Sequence, residues 1–221
     1  MKFLVTFLAV AAFSTHAVAI HNHQSEAAPS AAKATASVKA DASVVNAPAL
    51  GPALGDKIPH DLTVLTSAGV ETNFEELVGE KGLALFFVRS VDWCPFCRAQ
   101  AKDVNTRLAE FQERGVNVAF VSYDVPAKQS PFVKKWDFEP TLLSDEKIEI
   151  IDAFGLRNET HKEGSRFFGI PHPAVFIINS EKAIVGKLYE DDYVSNAKSY
   201  RERPAVDLIL DVVDGAFTAD E

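Results

Sequence analysis

The two cysteines of this chain, Cys94 and Cys97, lie two residues apart in the segment "SVDWCPFCRAQ", residues 90–100. An apolar stretch precedes the pair and an amphipathic one follows it, which places Cys94 where a strand passes into a helix. Pro95 suits the first helical position, because it has no N–H to leave unpaired. The free amides and the dipole of a helix N-terminus stabilise a thiolate. The spacing therefore predicts thiol–disulfide exchange, in which Cys94 attacks and Cys97 resolves the mixed disulfide.

Two other kinds of site use a pair of cysteines. A structural disulfide would close only a very short loop here and would stabilise the fold by about 2 kcal/mol. A zinc site needs four ligands, and the chain has no second Cys-x-x-Cys, so His60, His161 and His172 are the candidates to complete one. Redox chemistry fits motif and context better than either, and we predict no metal site.

Alternating strand and helix patterns surround the cysteine pair. The apolar run 82–89 predicts a strand buried on both faces, and residues 116–124 predict a second strand. Between them, apolar residues recur at helical spacing and end at Gly115. The other expected elements are a hairpin around Ala68 and Gly69, helices near 130–136 and 147–154, paired strands at 174–179 and 183–189, and a closing helix marked by Val206 and Val213. The pattern is that of an α/β domain.

The first 19 residues have the pattern of a secretory signal peptide. Lys2 gives a positive start, Phe3–Phe13 is apolar, and Ala17–Ala19 supplies the small-x-small pattern of a cleavage site. The apolar run has 11 residues, whereas a helix that crosses a bilayer needs about 20. We therefore predict export, to the periplasm or the exterior, after cleavage near Ala19. An uncleaved membrane anchor is the alternative.

The next segment, residues 20–50, is predicted to be a disordered Ala/Ser/Pro-rich linker. Residues 27–49 contain ten alanines and no aromatic side chain. Such a composition cannot bury enough apolar surface to offset the entropy cost of ordering. The folded domain is therefore expected to cover residues 51–221.

The charge of the chain excludes one class of partner. Asp and Glu number 31 against 22 Lys and Arg, so the formal net charge is −9, and no Lys/Arg-rich run occurs. Nucleic-acid binding needs clustered cations that neutralise phosphates. We therefore expect no nucleic-acid partner. Beyond the N-terminal run, no segment is long enough to span a membrane.

At the cysteine pair the sequence resembles the redoxins, the thioredoxin-fold group that includes alkyl hydroperoxide reductase and the thiol-specific antioxidants. The resemblance runs from about residue 51 to about 190. It depends on "LGDKIPHDLTVLTSAGVETNFEEL", "LALFFVRSVDWCPFCRAQ", "VNVAFVSYD" and "FGIPHPAVFIINSEKAIVGKLY". It implies a thioredoxin-like fold, with a central mixed sheet flanked by helices and an N-terminal β-hairpin extension. It also implies that Cys94 is exposed at the end of the strand before it.

The sequence departs from the pattern of typical peroxiredoxins, Pro-x-x-x-Thr/Ser-x-x-Cys. With Cys94 as the cysteine, the proline and hydroxyl positions hold Phe87 and Val91, and Ser90 is one residue out of register. The family arginine, three residues before the Phe of the late strand, corresponds to Pro173. Thioredoxins have a cis-proline at that place, so the resemblance predicts a cis bond between His172 and Pro173, with Pro171 as the competing candidate.

The remaining site residues follow from this resemblance. Arg89, five residues before Cys94, is the candidate to favour the thiolate and hold a peroxide oxygen, with Arg166 as a weaker candidate. A surface ion pair with Asp92 is the alternative for Arg89. The residues expected to shield the pair and dock a substrate are Trp93, Pro95, His172 and Pro173.

The sequence thus predicts an exported thiol–disulfide oxidoreductase with antioxidant activity and without a bound cofactor. Its substrate would be a peroxide or a protein disulfide, and its electron donor a thioredoxin-like protein or a small thiol. The alternative is a copper-handling redoxin-like module, in which the cysteine pair and His161 or His172 would bind the metal.

Overall fold

The computed structural model describes residues 49–59 and 61–218. The predicted signal peptide, nearly all of the predicted linker, and His60 lie outside the described residues. The strands are β1 (Val64–Thr66), β2 (Glu71–Thr72), β3 (Gly82–Phe87), β4 (Val116–Ser122), β5 (Thr141–Ser144), β6 (Ala174–Asn179) and β7 (Ile184–Tyr189). The helices are α1 (Phe74–Leu77), α2 (Pro95–Thr106), α3 (Leu108–Gln112), α4 (Pro126–Trp136), α5 (Glu149–Ala153), α6 (Val206–Thr218) and a 3₁₀ turn at Ser199–Arg201.

The described strands form one mixed sheet in the order β2-β1-β5-β4-β3-β6-β7. β3, β4 and β5 run parallel, whereas β6 and β7 continue the sheet in antiparallel pairing. β1 and β2 form an N-terminal hairpin that joins β5 at the other side. The α/β class, the mixed sheet and the hairpin extension are thereby confirmed.

Strand β3 is one of the central strands, since it lies between β4 and β6, and every one of its residues is apolar or glycine and buried. Alternate side chains belong to two hydrophobic clusters: Phe86 to one, Leu85 and Phe87 to the other. The first cluster also contains side chains of α2, α4 and α6, and the second contains side chains of α1 and α5. The sheet therefore lies between two layers of helices.

The predicted helix after the cysteine pair is interrupted. α2 ends at Thr106, Arg107 has φ −114° and ψ 19°, and α3 begins at Leu108. Gly115 ends the turn after α3 with φ +70°, a conformation that favours glycine. α4 begins at Pro126, earlier than expected, because a proline at the first helical position costs no hydrogen bond. No helix in the described ranges is long and apolar enough to cross a membrane.

Candidate active site

Cys94 is the N-cap residue of α2. Its backbone is extended, with φ −87° and ψ 111°, and Pro95 occupies the first helical turn. The Cys94 Sγ atom accepts a hydrogen bond from the backbone N–H of Cys97 at 3.4 Å. One of the free amides of the helix N-terminus is thus directed at this sulfur, as the sequence predicts.

The expected exposure of Cys94 is wrong. Cys94 is 1% exposed and Cys97 is fully buried, and both are free thiols. The physical reason is packing: both sulfurs belong to the hydrophobic cluster that includes Val88, Val91 and Ala101. The segment that precedes α6 also reaches the pair, because one of its side chains contacts Cys97.

That side chain is Arg203, which the sequence analysis did not single out. Its Nη2 lies 3.5 Å from Cys97 Sγ and donates to it. Its Nη1 donates to the carbonyl oxygens of Tyr200 and Glu202. Its Nε is buried and has no hydrogen-bond partner. The guanidinium is therefore held by backbone carbonyls on one side and points at a sulfur on the other.

The surroundings of the two thiols favour ionisation of Cys97 over ionisation of Cys94. Burial raises the pKa of Cys97, but the hydrogen bond with Cys94, the Arg203 cation and the backbone amide of Ser90 outweigh it and lower the pKa to about 6. The hydrogen bond to Cys97 raises the pKa of Cys94, and burial and the Cys97 charge act in the same direction. The two pKa shifts are opposite in direction to the prediction that Cys94 carries the charge.

A buried polar network fixes the loop that leads into α2. Asp124 is 7% exposed and accepts hydrogen bonds from Ser90 Oγ at 2.8 Å and from the Val91 N–H at 2.9 Å. Ser90 Oγ in turn accepts from the backbone N–H groups of Asp92 and Trp93. Burial raises the pKa of Asp124, although its hydrogen bonds oppose the shift. The network sets the conformation of the residues just before Cys94.

Arg89 occupies a different place from the one predicted. It is 9% exposed, and its Cζ lies 3.9 Å from the ring centroid of Tyr200 and 5.1 Å from that of Trp93. Its Nε is buried without a hydrogen-bond partner. The alternative interpretation, an ion pair between Arg89 and Asp92, is not observed, and Asp92 pairs with Lys128. The cation in contact with a cysteine sulfur is Arg203, not Arg89.

Trp93 forms part of an aromatic wall beside the pair. Its Nε1 donates to Tyr123 Oη at 3.2 Å, and its ring centroid lies 5.0 Å from that of Phe167. Tyr123 Oη donates in turn to the carbonyl oxygen of Arg166. The Arg166 side chain is exposed and lies over the Phe167 ring, so it does not reach the cysteines.

His172 and Pro173 precede β6, but the predicted cis bond between them is wrong. No peptide bond in the described ranges is cis, so Pro171 and Pro173 are both trans. Pro171 forms an isolated antiparallel β-bridge with Arg157, and the His172 N–H donates to the Leu156 carbonyl at 2.7 Å. These contacts fix the approach to β6 in an extended form, and Pro173 needs no ladder N–H because the strand begins after it.

Neither histidine of the copper hypothesis is placed as a ligand. The His172 ring lies 4.7 Å from that of Tyr193, and burial, with His161 and Arg89, lowers the pKa of His172 to about 4. His161 packs on Phe167. Within the part of the chain that the structure describes, no group of three or more His, Cys, Asp or Glu side chains could hold a metal ion.

Comparisons with known proteins agree on one family. The AhpC/TSA family profile matches residues 54–187. The chain is 30% identical over 128 residues to peroxiredoxin Bcp of Escherichia coli (strain K12), which covers 58% of this chain and 80% of that protein. The structure is similar to a peroxiredoxin-like protein from Aquifex aeolicus, with TM-score 0.60, 25% identity, and coverage of 76% and 91% of the two chains. It also shares the fold of peroxidoxin BcpB from Mycobacterium tuberculosis, with TM-score 0.62, 19% identity, and coverage of 73% and 96%.

These relatives overturn one prediction. Export to the periplasm or the exterior is wrong, because the Bcp-type proteins that the chain matches are a typically cytoplasmic group of bacterial peroxiredoxins. The prediction depended on the composition of residues 1–19, which lie outside the described residues.

Proposed function

Because the chain belongs to the AhpC/TSA family and is an oxidoreductase of the peroxiredoxin type, we propose that it reduces hydroperoxides with Cys94 and Cys97 as its redox pair. The observation that carries this proposal is the contact between the two residues at the start of α2, where Cys94 Sγ accepts the Cys97 N–H. A disulfide between residues three apart at a helix N-terminus needs no rearrangement of the sheet.

The proposed reaction has two steps. Cys94 sulfur attacks the peroxide, so that an S–O bond forms, the O–O bond breaks and an alkoxide leaves. The Cys94 proton passes to Cys97, which delivers it to the alkoxide and returns to the thiolate. Cys97 then attacks the Cys94 sulfenic acid, the S–S bond forms, and hydroxide leaves and takes a proton from solvent. The products are an alcohol, water and a disulfide, and an external thiol returns the pair to the dithiol.

The other residues act as supports in this proposal. Trp93 and Pro95 form the rim beside Cys94, and His172 and Pro173 stand at the start of β6 as docking residues. Arg89 supports the aromatic side chains beside the pair, because its guanidinium packs on the rings of Tyr200 and Trp93. The external thiol that reduces the disulfide would be a small thiol or a thioredoxin-like protein, and no cofactor is required.

The test is peroxide consumption by the reduced protein and its variants Cys94→Ser and Cys97→Ser. Wild type should consume one peroxide per molecule without added thiol and form an intramolecular disulfide, detected by mass as the loss of two hydrogens. Cys94→Ser should lose this reaction. Cys97→Ser should stop at a sulfenic acid that dimedone traps. Equal consumption by wild type and Cys94→Ser would contradict the proposed order of attack, and no consumption by wild type would remove the peroxidase function.

Exchange with protein disulfides is a second candidate, favoured by one observation. Pro95 and Phe96, between the two cysteines, are exposed, and Phe96 is 36% exposed. An exposed apolar side chain next to a dithiol is suited to contact with another polypeptide. Reduction of a protein disulfide at a rate above that of a free dithiol, and slower in Phe96→Ser, would support this activity.

A further inference from the structure

Arg203 reaches Cys97 from a segment remote in sequence. The segment Ser199–Pro204 lies just before α6, and the contact joins residues 106 apart. Its residues Arg201–Arg203, with Phe96 and Gln100 of α2, line a surface groove of about 310 Å³. Arg203 therefore lies between this groove and the buried sulfur.

The Arg203 cation forms no salt bridge with a described acidic side chain, although Glu190 is close enough for the Arg203 charge to oppose the rise in its pKa. The Arg203 donors that have partners bind only backbone carbonyls and the Cys97 sulfur. A charge that is partly removed from water needs a compensating anion. The atom that could supply it in direct contact with the guanidinium is Cys97 Sγ.

We propose that Arg203 is a catalytic residue, whose guanidinium holds Cys97 as the thiolate of the reduced pair. The inference rests on the proposed redox function of the pair. The charged and titratable groups that act on Cys97 are Arg203 and Cys94, with the Ser90 amide as a further donor. In the two-step reaction, the thiolate on Cys97 accepts the Cys94 proton during attack and then forms the disulfide. Arg203 thus contributes to both steps through the same sulfur.

The variant set separates charge from packing. Arg203→Gln removes the cation and keeps a polar side chain of moderate size, whereas Arg203→Lys keeps the cation. Arg201→Gln is the matched control, because Arg201 is an exposed arginine in the same segment, and its side chain contacts Tyr200 and Phe96 rather than a cysteine. Thermal unfolding of each variant shows whether the fold is kept.

The first readout is the thiolate titration of Cys97, followed by ultraviolet absorbance in the Cys94→Ser background. Arg203→Gln should raise the apparent pKa by about one unit, which corresponds to a tenfold change in the thiolate equilibrium. Arg203→Lys should restore most of the shift, and Arg201→Gln should leave the pKa at the parent value. An unchanged titration in folded Arg203→Gln would overturn the proposal.

The second readout is disulfide formation after a peroxide pulse at pH 5, below the pKa of Cys97, with both cysteines present. Arg203→Gln should slow it about tenfold, in proportion to the lost thiolate, and the deficit should shrink as the pH is raised. A deficit that is the same at every pH would indicate a structural role and would also overturn the proposal. If wild type does not react with peroxide, the proposed function fails, whereas the titration still decides whether Arg203 holds the thiolate.

Discussion

Ser90 Oγ donates a hydrogen bond to Asp124 Oδ1 at 2.8 Å, and both side chains are buried. The same hydroxyl accepts from the N–H groups of Asp92 and Trp93. Two loops that follow neighbouring parallel strands, β3 and β4, are thereby joined beside the cysteine pair. The conformation of the loop between β3 and α2 therefore depends on this contact as well as on the residues of the loop itself.

Ser90→Ala should lower the free energy of unfolding by about 1–3 kcal/mol, since the change leaves a buried carboxylate and two amides short of a partner. Denaturant titration at pH 7 measures this. The control is Ser195→Ala, an exposed serine whose hydroxyl bonds a nearby carbonyl. Equal effects of the two substitutions would show that the Ser90 network does not stabilise the loop.

Trp93→Phe should abolish the change in tryptophan fluorescence between the dithiol and disulfide forms. Trp93 packs on the cluster that contains both cysteines, so its emission responds to the sulfur chemistry. Trp136→Phe should retain the change, because Trp136 is 40% exposed on α4 and contacts Lys102 instead. Emission spectra of the two single-tryptophan variants decide the matter, and a redox response that follows Trp136 would refute the assignment.

His172→Phe should make folding stability less sensitive to acid. The pKa of His172 is lowered from 6.5 to about 4 in the fold, so the stabilisation that the neutral ring provides is fully present above pH 6.5. It is lost as the pH falls towards 4. Because part of the ring is exposed, we expect this loss to be about 1–2 kcal/mol. Phenylalanine keeps a ring against Tyr193 and does not titrate.

Unfolding curves of wild type and His172→Phe at pH 7 and pH 4.5 give the comparison. The wild-type loss between these values should exceed that of the variant. Other titrating groups, such as Asp124, contribute to both proteins and cancel in the difference. Parallel losses in the two proteins would show that His172 is not the acid-sensitive group.

Gly82→Ala should destabilise the fold by about 3 kcal/mol or more, because a core that is already filled has no room for a further methyl group. A Cβ at Gly82 would lie 2.1 Å from the carbonyl oxygen of Ile178 on the adjacent strand. Gly215→Ala in α6 is the matched substitution, since nothing lies within 4 Å of the added Cβ. It should stabilise the helix by about 0.5–1 kcal/mol. Melting temperatures that fall in both variants would contradict the second expectation.

Elements whose pattern is local could be predicted from the sequence. The strand 174–179 has the bounds of β6, and Cys94 and Pro95 take the N-cap and first-turn positions expected of them. The break at Arg107 was missed, because the apolar spacing continues across it and only the backbone angles reveal it.

The surroundings of the pair could not be predicted in the same way. Arg203 lies in an irregular segment without periodicity, and its contact with Cys97 depends on how that segment returns across α2. The burial of Cys94 depends on its packing in a cluster with residues from several elements. The link between Ser90 and Asp124 had a weak signal, since both residues follow parallel strands whose carboxyl ends meet at one edge of the sheet.

Cys94 and Cys97 share a hydrophobic cluster with Phe86 of the central strand and Val213 of the last helix. The reduction potential of the couple is therefore a property of the whole interior, because oxidation moves two atoms that the interior is packed around. A conservative change at Val213, well away from the sulfurs in sequence, would then alter how easily the protein gives up electrons. Evolution could tune this enzyme's reducing power by adjusting side-chain volumes in the core, with the motif itself unchanged.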